Sequence, residues 1–165
     1  MNLSEAELRP YLSELDNLYE DSSYTAQSYF EAAKSAEFWG KAIVFIPALA
    51  GTVAALLVSI GGSKQWGAVG AVAGAITLTA SFLGAEKKAN SYKETGRRFT
   101  GLRHEIRLER TLLIKRSNES DVEKRLRALR KEYNDIVSAS ELVPNRLFRR
   151  AAKRIKAGVL SHEGR

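Results

Sequence analysis

Residues 42–60 read AIVFIPALAGTVAALLVSI, residues 61–65 GGSKQ, and residues 66–85 WGAVGAVAGAITLTASFLGA. Neither long run contains Asp, Glu, Lys or Arg. An apolar helix needs roughly 20 residues to cross the hydrocarbon core of a bilayer, so each run is long enough to span it. The five residues between them are turn chemistry with one cation, suited to a tight re-entry. Trp39 and Trp66 flank the two runs, where indole rings favour the membrane–water interface. Pro47 removes one helical hydrogen bond, a defect that membrane helices tolerate. A soluble domain of 165 residues could hardly hide two helices that are apolar on every side.

The second run has an internal order. Gly67, Gly70, Gly74, Thr77, Ser81 and Gly84 recur in steps of three and four, which places them on one helical face. Val69, Val72, Ile76 and Leu83 fall on the other side. The first run carries a weaker counterpart in Ala48, Thr52, Ala55 and Ser59. Small residues let membrane helices approach closely. The stripe therefore reads as a packing seam, within the hairpin or between subunits, ahead of a pore lining in which Thr77 and Ser81 face water.

Charge is segregated along the chain. Residues 1–41 hold 3 Lys/Arg and 8 Asp/Glu, residues 42–85 hold Lys64 alone, and residues 86–165 hold 22 Lys/Arg and 11 Asp/Glu. Lys34 and Lys41 precede the first run, and Lys87, Lys88, Lys93, Arg97 and Arg98 follow the second. Positive flanks stay in the cytoplasm. Both termini are therefore expected there, with residues 61–65 outside.

The arms carry helical stripes. In the first, Leu8, Leu12, Leu15, Tyr19, Ala26, Tyr29, Phe30 and Ala33 share a side, and Ser4 with Glu7 fits a capping box. After the second run come Tyr92, Phe99, Leu102, Ile106 and Leu113; then, past a break at SNESD (117–121), Val122, Leu126, Leu129, Tyr133 and Ile136, with Ser120 and Glu123 as a second capping box. The acidic first arm and the basic third part should attract each other. The expected architecture is all-α: a two-transmembrane hairpin whose long helices extend into a cytoplasmic bundle. Its parts are 1–41 (cytoplasmic helix), 42–60 and 66–85 (membrane helices), 61–65 (external turn) and 86–165 (cytoplasmic helices).

A last helix starts at Pro144 and ends near Gly158. Phe148, Ala151, Ile155 and Val159 form one face; Arg146, Arg149, Arg150, Lys153, Arg154 and Lys156 crowd the rest. Three readings stand, in descending order: a helix docked on the bundle with a solvated basic face, a contact with anionic headgroups or a partner, and a nucleic-acid contact.

An enzyme is the weakest class. The chain has no cysteine, and its two histidines, His104 and His162, lie far apart among charged residues. The glycines after Gly67 lack the GK[ST] that gives a phosphate-cradling loop its chemistry. No cofactor or metal is expected, and no acid or base in either run suggests a proton relay.

The order of parts also resembles a known family. SYFEAAKSAEFWGK (28–41) leads into the first run, AEKKANSYKETGRRFTGLRHEI (85–106) follows the second, and EYNDIVSASELVPNRLFRRAAKRI (132–155) comes later. This layout is similar to the SLATT family, the two-transmembrane effector domains associated with SMODS nucleotidyltransferases and SLOG sensors in prokaryotic defence loci. The resemblance covers about residues 24–155, and makes the whole chain one SLATT-like domain. It implies an effector in the inner membrane that oligomerises and permeabilises or depolarises the bilayer in anti-phage defence. It also implies a trigger supplied by a partner sensor protein, or by a signalling nucleotide from an associated nucleotidyltransferase. The alternative is a membrane-anchored helical scaffold without a pore.

Overall fold

One α-helix, α1, runs without interruption from Glu5 to Ser59, roughly 80 Å at 1.5 Å per residue. The acidic arm and the first apolar run are thus one element. In the computed structural model, residues 5–82, 84–113 and 119–157 are described; at 5, 6, 81, 82, 85 and 156 only the backbone is. Four further helices follow: α2 (Gln65–Phe82), α3 (Ala85–Leu113), α4 (Glu119–Ser138) and α5 (Asn145–Lys156). No strand occurs among the described residues, so the fold is all-α as the periodicity predicts.

The chain divides into two units, one of residues 33–91 and one of residues 1–32 with 92–165. The second is a helical bundle built from the N-terminal part of α1 with most of α3, α4 and α5. Its core follows the stripes. Leu8, Leu15, Ala26, Tyr29, Tyr92, Phe99, Leu102, Ile106, Leu113, Val122, Leu129 and Ile136 are all buried. Leu18 and Ser22 are buried too, although the sequence reading passed over them. Tyr29 stacks on Phe99 with ring centroids 5.9 Å apart, and Phe99 meets Tyr133 edge-on at 5.5 Å. Such offset and edge contacts suit the ring quadrupoles.

Charge seals the bundle where the sequence says it should. Asp16 of α1 pairs with Arg110 of α3 at 3.1 Å, Glu14 with Arg130 of α4, and Glu31 with Arg154 of α5. Glu109, buried on α3, accepts from Arg125 Nε at 2.8 Å, and Glu105 accepts from its Nη2 at 3.1 Å. The Glu109 hydrogen bond is the main reason the Arg125 guanidinium holds its proton even more firmly than usual.

Three helix boundaries differ from expectation. Ser120 already lies inside α4, which starts at Glu119, so it is not the residue before the helix. The other proposed cap, Ser4, lies outside the described residues, as do Gly158 and Val159. Pro144 is the residue before α5 rather than its first. Gly84 is not on the face of the second apolar helix: it stands between α2 and α3 with φ of +63°, a left-handed backbone that ends helices.

Candidate functional site: a small-residue groove on an exposed apolar hairpin

The hairpin unit is set by its turn. Past the end of α1, Gly62 N–H donates to Leu57 O at 2.8 Å and Gly61 N–H to Val58 O at 3.2 Å. This crossed pair is the Schellman closure, with Gly61 in the left-handed region at φ +90°. A side chain at Gly62 would sit 2.4 Å from the Leu57 oxygen. The glycine pair is therefore what permits so short a reversal into α2.

The two apolar helices then touch through their smallest residues. A Cβ placed on Gly51 would lie 3.6 Å from Ala73 Cβ, and one on Gly70 3.7 Å from Ala54 Cβ. Ala54, Ala73 and Ala80 are the buried side chains of this contact region. The α2 contact face thus runs through 70, 73, 77 and 80. It shares Gly70 and Thr77 with the face read from sequence but is turned away from Gly67 and Gly74. At those two glycines an added Cβ would meet nothing within 4 Å.

Gly67 and Gly74 instead line an open groove beside the contact, about 820 Å³ in volume. Pro47, Ala48, Gly51, Thr52 and Ala55 of α1 form one wall; Gly67, Gly70, Gly74 and Thr77 of α2 form the other. The stripe on α1 was legible through Ala48, Thr52 and Ala55; Gly51 and Ala54, which make the closest approach, were missed because they fall one step off it. Of the six stripe residues on α2, four line the groove. Gly84 lies beyond the helix, and the Ser81 side chain lies outside the described residues. The hydroxyls nearby are bonded to their own helices. Thr52, Thr77 and Thr79 each donate to the carbonyl four residues earlier in their own helix, at 2.9, 3.0 and 2.9 Å.

Around this contact the hairpin is bare. Fifteen of the nineteen large apolar side chains exposed among the described residues lie between Phe38 and Leu78. Ile46, Leu49, Leu56 and Leu78 are all at least 60% exposed. In α1 the most apolar 18-residue window has a mean hydropathy of 2.3 and is 6% buried. One helix is thus long and apolar enough to cross a membrane. Soluble monomers rarely expose a contiguous apolar surface on this scale; such surfaces mark contacts with other chains or with lipid.

The basic residues of α5 form a second cluster in the bundle. Leu147 and Ala151 are buried beneath the helix. Phe148, assigned by the sequence reading to that inner face, is 44% exposed. Leu147 lies four residues before Ala151 and Phe148 three, both helical spacings, so periodicity alone could not choose between them. Two tethers set the choice: Arg154 pairs with Glu31, and Tyr29 Oη donates to Glu141 O at 2.8 Å in the connection before α5. Arg146, Arg149, Arg150 and Lys153 are exposed and make no ion pair among the described residues.

No group of His, Cys, Asp or Glu able to hold a metal occurs among the described residues. A scan against protein-family models and searches of curated proteins and solved structures found no match to this chain.

Proposed function

We propose that this chain is a membrane-integral effector whose two apolar helices both span the bilayer and whose groove assembles copies into a permeabilising oligomer. The supporting observation is the apolar belt from Phe38 to Leu78, exposed all round a hairpin that buries little beyond alanines. Trp39 and Trp66 are exposed near the ends of that belt, as interfacial anchors would be. Lipid offers no hydrophobic driving force between helices, so association there depends on close packing at small residues. The open glycine–alanine groove offers that. The setting is a prokaryotic inner membrane with both termini in the cytoplasm, and the trigger is a partner sensor or signalling nucleotide. The resemblance to SLATT effectors supplies the defence context.

A second reading is a membrane-anchored scaffold without a pore. It is favoured by the Thr52, Thr77 and Thr79 hydroxyls, whose protons are engaged by their own helices.

Membrane potential in cells expressing the chain separates the two. Wild type should depolarise the membrane. Gly74→Leu, which fills the open groove, should remain in the membrane yet fail to depolarise, while Val72→Leu on the opposite side should behave as wild type. Depolarisation undiminished in Gly74→Leu removes the groove from the mechanism. An intact potential in wild type, even with sensor genes co-expressed, favours the scaffold.

A further inference from the structure

Most of the basic face of α5 is not used by the fold. Its inner side is occupied by Leu147 and Ala151, and among the described cations of the helix only Arg154 is paired, with Glu31. Arg146, Arg149, Arg150 and Lys153 follow one another around the outer surface at helical spacing, four positive charges within eight residues. Two apolar side chains accompany them. Leu142, three residues before α5, is 94% exposed, and Phe148 is 44% exposed on the flank between the buried Leu147–Ala151 side and the cations. These are two of only four large apolar side chains exposed in the bundle unit among the described residues.

We propose that this face is a docking surface for anionic lipid headgroups. Four unpaired cations complement a negatively charged leaflet, where each Lys or Arg adds attraction that salt screens. A bare leucine offers nothing to a phosphate backbone and no ring for a base to stack on, but it gains by entering the headgroup–acyl boundary, as does the half-bare phenylalanine. That pairing of charge with exposed apolar side chains favours lipid over nucleic acid. The geometry differs from a free interfacial helix, because the apolar face of α5 is already spent on the bundle. Contact is therefore through headgroups, with Leu142 and Phe148 as shallow insertions. The proposal does not depend on the hairpin spanning the bilayer.

The chain contains no cysteine, so Asn145→Cys, exposed at the start of α5, can carry a single environment-sensitive fluorophore. The full-length labelled chain is incorporated into nanodiscs of phosphatidylcholine alone or with about 30% phosphatidylglycerol, which supplies a negative surface potential. The expected result is a blue-shifted emission in anionic discs only, reversed by high salt. The charge reversals Arg146→Glu, Arg149→Glu, Arg150→Glu and Lys153→Glu together should lower apparent affinity for anionic lipid by at least roughly tenfold. Leu142→Asn with Phe148→Asn should weaken the shift while leaving its salt dependence.

Equal emission in the two lipids overturns the proposal, as does a shift that survives the charge reversals. A shift produced by duplex DNA but not by anionic discs reassigns the face to nucleic acid. Incorporation into discs is scored separately by co-elution: a chain that enters discs without the shift loses this proposal alone. A chain that stays outside them loses the two-span reading, and the same label is then read after adding preformed vesicles of the two compositions.

Discussion

At the residue scale, two buried hydroxyls of the bundle core set local stability in opposite ways. Ser22 is fully buried and its hydroxyl has no hydrogen-bond partner, whereas buried Ser28 donates to Tyr24 O at 2.8 Å. An unmet buried hydroxyl costs about 1–3 kcal/mol. Ser22→Ala should therefore raise stability by about 1 kcal/mol, and Ser28→Ala should change it by less; thermal melts followed by circular dichroism check both, and a destabilised Ser22→Ala would contradict the reading. Tyr29 is the second case. Burial is the main cause that pushes its phenol above the ordinary value, while its proton goes to Glu141 O. Above pH about 10 the unfolded chain loses this proton while the folded chain keeps it, so stability falls as pH rises through the folded pKa. Tyr29→Phe should lose about 1 kcal/mol at neutral pH and show a shallower alkaline decline, measured as melting temperature against pH.

At the element scale, glycines in similar helical settings do different work. Gly96 on α3 is buried, and a Cβ there would meet the Phe30 ring of α1 at 3.1–3.2 Å, so this glycine sets how closely the two helices approach. Gly101, five residues on, is exposed with nothing within 4 Å. Gly101→Ala should stabilise by about 0.5–1 kcal/mol through helix propensity. Gly96→Leu should destabilise by about 3 kcal/mol through overpacking. Chemical denaturation of the two variants tests the pair, and equal effects would deny the close approach. The sequence could not tell these glycines apart, because spacing reports a face but not which neighbour meets it. The same limit explains Gly84: a step of three from Ser81 continues the stripe on paper, yet its backbone closes α2 and lets α3 begin.

At the scale of the whole molecule, the exposed belt between Phe38 and Leu78 dictates how the chain behaves outside a lipid phase. The chain should sediment with membranes, resist alkaline carbonate extraction and require detergent to stay dispersed. Recovery as a monomer from detergent-free buffer would defeat the membrane reading. Much of the plan was present in the sequence. The lack of charge over 42–60 and 66–85 marks the apolar hairpin, and heptad-like stripes mark the bundle helices. The opposite charges of the arms anticipate the Asp16–Arg110 pairing. These follow from composition and period, which belong to the chain before it folds. Tertiary structure decided the rest: that Ala54, Ala73 and Gly70, rather than Gly74, make the contact between the apolar helices, that Gly67 and Gly74 line an open groove, and that Leu147 instead of Phe148 anchors α5. Each of these depends on the rotation of one helix against another. Neighbouring helical faces one residue apart satisfy the same three-and-four spacing, and only packing against a specific surface selects between them.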